Sequence, residues 1–94
     1  MANFHLNIVS ALETVFSGEA TALTLPGAEG YFGLLAHHAP IVAVLGEGEA
    51  TLRVGTKETT FHIKGGFLEM SNNVCTLLPE EVRGLDHLKP AAAE

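Results

Sequence analysis

His37-His38 is the first pair in this chain whose chemistry could be used, as ligands for a metal ion. Adjacent residues on an extended chain point to opposite faces, so the two are poorly placed to share one ion. No cysteine or carboxylate stands nearby at zinc-like spacing. A nucleophilic triad would need an acid behind a histidine, and the only aspartate is Asp86, close to the end of the chain, which leaves glutamates as substitutes. Ser10 and Ser17 read as turn residues, and neither stands in a Gly-x-Ser-x-Gly setting. Gly27, Gly30 and Gly33 fail as a phosphate cradle because no helix follows whose amino terminus could hold the anion. Gly65-Gly66 leads into a strand instead. Cys75 is single, which excludes an internal disulfide, and between Val74 and Thr76 it reads as a small buried hydrophobe. No catalytic residue, metal or cofactor is expected.

The elements that must carry these residues are strands. Phe4, Leu6 and Ile8 alternate with His5 and Asn7, as on a strand with one buried face. Leu23 and Leu25 continue the period, and Ser17-Gly18 and Pro26 to Gly30 read as turns. Ile41 to Leu45 is apolar without interruption, which predicts a strand covered on both faces. Ala50, Leu52 and Val54, then Thr59, Phe61 and Ile63, form two alternating runs around Gly55-Thr56, a hairpin pattern. Phe61, Ile63, Leu52 and Val54 are assigned to the core. Lys64-Gly65-Gly66 predicts a further bend, Ser71 to Asn73 a turn, and Pro79 the end of the last strand. About eight short strands at this spacing describe an all-β sandwich or barrel.

Composition narrows the function classes. Apolar residues make up 47% and charged residues 17%, a balance that folds. The 94 residues suffice for one domain with one thin core. The net charge of −6, from 11 acidic and 5 basic residues, argues against nucleic acid and anionic lipid as partners and favours a basic protein surface. No basic leader and no run of the ~18 apolar residues a membrane helix needs is present. The residues thus describe an acidic all-β binding or structural module and leave its partner open.

Three stretches, in order, resemble the epsilon subunit of F-type ATP synthases. They are Phe4 to Ser10 with Val15 to Ala20, Gly27 to Leu35 running on to His38-Ala39-Pro40, and Ile63 to Met70 with Asn73-Val74 and Leu77-Leu78. The resemblance runs over roughly residues 4 to 84. It implies an all-β, flattened sandwich of about ten strands over residues 1–84, with 85–94 a short tail. It also implies a non-catalytic rotor part at the foot of the central stalk, between the gamma subunit and the c ring. Such a part sits peripherally at the cytoplasmic face of a bacterial inner membrane, serves a proton- or sodium-driven synthase, and is monomeric when isolated. The loop Glu29, Gly30, Tyr31, Phe32 is expected to face the c ring, and Ser10 and His38 to lie toward gamma. Strand parity with Leu34 gives Phe32 an equal claim to inward packing. Relatives often carry proline where this chain has Ala36.

Family members commonly continue into a two-helix hairpin that can inhibit ATP hydrolysis, and some relatives bind ATP through a short motif at its start. Leu85-Asp86-His87-Leu88-Lys89-Pro90 is similar to a degraded form of that motif. Lys89 lacks the planar fork of an arginine, and Pro90 stands where helix should continue. Neither ATP binding nor hairpin-type inhibition is expected of this sequence. A stand-alone sandwich adaptor, or a small metal enzyme using His37, His38 and glutamates, are the alternatives.

Overall fold

The structure, a computed structural model, describes residues 2–10 and 14–84. The expectations placed on Leu85 to Pro90 fall outside the described residues. Among the described residues eight strands follow in chain order: β1 (Phe4–Val9), β2 (Thr14–Ala20), β3 (Ala22–Gly27), β4 (Gly30–Leu35), β5 (Ile41–Val44), β6 (Glu47–Val54), β7 (Lys57–Ser71) and β8 (Val74–Arg83). Their hydrogen-bonded order is β2-β1-β8-β7-β6-β3-β4, with β5 attached to β7. The β1–β8 pair is parallel and the other pairs are antiparallel.

The sheet becomes a sandwich because β7 and β8 each run through both layers. β7 pairs with β6 over Lys57–Lys64 and then with β5 over Phe67–Met70. β8 lies along its other side, Val74–Pro79 against Gly66–Ser71 and Glu81–Arg83 against His62–Lys64. The ladder is interrupted between these stretches, at Gly65 and Glu80. There Gly65 N–H donates instead to Gly46 O at 3.0 Å, and Gly66 O accepts from Leu45 N–H at 2.9 Å. Gly66 has φ +102°, and a Cβ on it would collide with the Leu78 carbonyl oxygen and lie 2.6 Å from Pro79 Cα. Only glycine fits this corner. Pro79, expected to end its strand, stands opposite Gly66 at the irregularity, where its missing N–H costs little.

Layer one is therefore β2-β1-β8-β7-β5 and layer two is β8-β7-β6-β3-β4. Eight continuous strands supply ten segments, so the residue pattern and the resemblance count the same object differently. Between the layers, Phe4, Leu6, Ile8, Leu68, Met70, Cys75 and Leu77 meet Leu23, Leu25, Leu34, Ala50, Leu52, Phe61 and Ile63, all essentially inaccessible. Each large apolar side chain so placed contributes roughly 1.5–3 kcal/mol relative to exposure.

Besides Pro79, which lies inside β8, three expectations are corrected. Val54 lies at the end of β6 and is exposed rather than core. Ser17-Gly18 is mid-strand in β2, not a turn: Ser17 pairs with Asn7 and its Oγ donates to Asn7 Oδ1 at 2.8 Å, so cross-strand bonding overrides turn propensity. β5 is covered on one face only, with Ile41 and Ala43 half-buried and Val42 and Val44 exposed.

Candidate docking surfaces

The bare side of β5 continues across layer one. Val44 pairs with Phe67 and Phe67 with Leu78, making a row of apolar side chains over three strands. Their exposures are 55%, 57% and 44%, and Val42, 73% exposed, stands in the next row beside Glu69. A contiguous apolar patch with a polar margin marks an interaction site on a soluble protein, whereas single exposed hydrophobics do not.

The β3–β4 hairpin brings its tip to the end of this patch. Gly27 pairs with Gly30 around Ala28-Glu29, Ala28 N–H donates to Val44 O at 2.9 Å, and Gly46 N–H donates to Pro26 O at 2.9 Å. A notch of about 430 Å³ between tip and β5 is floored by Phe32, Ala43 and Val44, with Glu29 exposed beside it. Tyr31 points outward, 61% exposed, and its hydroxyl accepts from Glu49 N–H at 3.1 Å. Phe32 points the other way and packs on the core, as its parity with Leu34 allowed.

Ser10 follows β1 at this same end, since Ile8 pairs with Leu77 next to Leu78. His38 lies at the opposite end of layer one, on the exposed β4–β5 loop, where its N–H donates to Leu35 O at 3.3 Å. Next to it, His37 adopts φ +65° and its N–H donates to Asn73 Oδ1 at 2.7 Å. The structure thus gathers Glu29, Gly30, Tyr31 and Ser10 at one end and leaves His38 at the other. Among the described residues no group of three or more His, Cys, Asp or Glu side chains could hold a metal ion.

One cluster was not read from the sequence. On the outer side of β1 and β2, His5 Nδ1 lies 3.1 Å from Glu19 Oε2, and His5 Nε2 lies 3.4 Å from Ser17 Oγ. These three residue types stand in the order of a catalytic triad, but the Ser17 hydroxyl donates its proton to Asn7 Oδ1 at 2.8 Å and not to the imidazole, whose Nε2 also lies 3.1 Å from Asn7 Oδ1. Inside the sandwich, burial pushes the Cys75 thiol up to about 12, far from the thiolate that reactivity requires.

Among the described residues, the sandwich carries an apolar patch on one outer side with a glycine-flanked tip beside it, a surface suited to protein docking. The family model described as "ATP synthase, Delta/Epsilon chain, beta-sandwich domain" matches residues 3–83. The chain belongs to this family. It is 41% identical over 80 residues to an ATP synthase epsilon chain of Caulobacter vibrioides, covering 85% of this chain and 93% of that relative. Similarity to the epsilon chain of Rhodopseudomonas palustris strain BisB5 is 42% over 80 residues, but there the match spans 59% of the relative. Among solved structures, a chain of the Euglena gracilis mitochondrial ATP synthase, determined with OSCP, F1 and c-ring, superposes with TM-score 0.82 at 26% identity. That match covers 88% of this chain and 54% of the other. A chain from the central stalk and c-ring of the Tetrahymena thermophila enzyme shares the fold, with TM-score 0.71 at 14% identity over 84% of this chain and 64% of that one.

Proposed function

We propose that this chain works as a non-catalytic rotor subunit of an ion-translocating F-type ATP synthase, seating the gamma subunit on the c ring. The observation that carries the reading is the Val44–Phe67–Leu78 row, an apolar surface left uncovered by the chain's own fold. Gamma covers this outer side of layer one, flanked by Ser10 at one end and His38 at the other. The adjoining tip, Glu29, Gly30, Tyr31 and Phe32, meets the polar loops of the c ring: Glu29 offers a charge, Tyr31 a flat contact area, and Phe32 supports the notch from inside. Family membership and the two ATP synthase assemblies among similar structures support this placement. The complex then sits peripherally at a membrane, in bacteria on the cytoplasmic face, with protons or sodium ions as the driving ion. No helix among the described residues is long and apolar enough to cross a membrane.

In this reading the sandwich through Gly84 is the coupling unit, and Lys89 and Pro90 make ATP sensing by Leu85–Pro90 no part of it. The test is reconstitution. Purified chain added to synthase depleted of its epsilon subunit should bind at one copy per complex and restore ion-coupled ATP synthesis. Recovery of the chain with proteins other than stalk and ring subunits would favour an adaptor instead.

A further inference from the structure

Tyr31 is a surface residue on an edge strand, yet its ring has a fixed seat. From β4 it reaches past its cross-strand partner Pro26 on β3 to β6, where the phenol oxygen accepts the Glu49 N–H at 3.1 Å. The space for that oxygen exists because residue 48 has no side chain. A Cβ on Gly48 would stand 2.5 Å from Tyr31 Oη, closer than real contacts allow, and 3.3 Å from Pro26 Cβ. The colliding atom is the far end of a flexible side chain, so a methyl group here would displace the phenol; the φ of +158° at Gly48 adds a backbone strain that thermal unfolding reads separately from binding.

We infer that Gly48 is a positioning residue for the docking tip: it holds open the seat in which the Glu49 amide fixes the Tyr31 hydroxyl, so that the ring is ordered before a partner arrives. The inference rests on the tip reading above. An exposed tyrosine that is free to rotate must be immobilised on binding, and a seated one has already lost that freedom, a difference of roughly two- to tenfold in affinity.

The experiment measures binding of the full chain to synthase depleted of this subunit, with the parent and three variants, and the fold of each is checked by thermal unfolding. Gly48→Ala and Tyr31→Phe should each weaken binding roughly two- to tenfold. The double variant should bind no worse than Tyr31→Phe alone, because the oxygen that the alanine would strike is gone. A penalty for Gly48→Ala that persists in the Tyr31→Phe background acts through the backbone and would overturn the inference. Tyr31 is the single tyrosine and the chain has no tryptophan, so tyrosine emission reports this ring alone. Gly48→Ala should lower its anisotropy, and an unchanged value would refute the seat. A lowered anisotropy with unchanged binding would confirm the seat and overturn the tip reading instead.

Discussion

On the β5, β7 and β8 part of layer one's outer side the pleat presents Val42, Val44, Phe67 and Leu78 around Glu69, with the polar His5–Glu19 and Ser17–Asn7 pairs of β1 and β2 beyond them. On the outer side of layer two, equivalent positions present Thr24, Thr51 and Thr60 in one registered row and Arg53 paired with Glu58 in the next. Further along, Glu47 lies 3.3 Å from His62 and Lys64 pairs with Glu81. Both regions come from alternating strands over one core, so inward residues specify the fold and leave outward residues free to differ between the β5–β7–β8 patch and layer two. A solvated face needs polar cross-strand pairs, whereas a docking face can omit them because its partner supplies the cover.

The comparison breaks completely if the two faces are disconnected, so the largest effect is expected at the corner they share. Gly66→Ala should destabilise the chain by roughly 3 kcal/mol or more, through a strained φ and a backbone collision. Urea unfolding measures it, and near-parental stability would mean that the corner can relax.

Phe67→Asp separates docking from folding. Its side chain is exposed, so the isolated chain should melt near the parent temperature, while binding to the depleted synthase should fall about tenfold or more. Unchanged binding would remove the central support for the docking face.

Cys75 tests the dry side of the same strands. Its thiol is held at about 12 against an ordinary 9.0, so the folded chain keeps a proton that the unfolded chain releases. Stability from this group is complete below pH 9 and is lost progressively as pH rises toward 12. Cys75→Ala should flatten that alkaline limb in pH-dependent unfolding. At pH 8 the native thiol should also resist iodoacetamide until the chain is unfolded, and rapid native labelling would show that the core is open.

The smallest effect belongs to the polar face. The Arg53–Glu58 pair is 2.6 Å apart but more than half exposed at both ends, so Arg53→Ala should cost at most about 1 kcal/mol and leave docking untouched. A loss of binding comparable to that of Phe67→Asp would place a partner on both faces.

Much of this was legible in the residues. Alternation located the core at Phe4, Leu6, Ile8, Leu52, Phe61 and Ile63, and the outward parity of Tyr31 was readable against Phe32 and Leu34. The run Ile41 to Leu45 was misread because a core and an interface use the same side chains, and periodicity cannot say which will be covered from within. Ser17-Gly18 and Pro79 were read as breaks because local preferences are visible in a sequence and strand pairing is not. The Gly48–Tyr31 seat and the His5–Ser17–Glu19 row have no local signature for a related reason: their members are distant in sequence and meet only through β3–β4 with β3–β6 pairing and through β1–β2 pairing.

The passage of β7 and β8 through both layers has a mechanical consequence. Most sandwiches transfer shear between layers through side chains that can slip past one another. Here a sideways pull on Phe67 is carried along the covalent backbone of β7, past Gly66, to His62 and the β6 ladder, with β8 running beside it as a second cable. The two layers are therefore joined through the backbone itself, and the step at Gly65, outside the β7–β8 ladder, is tied to Gly46 instead.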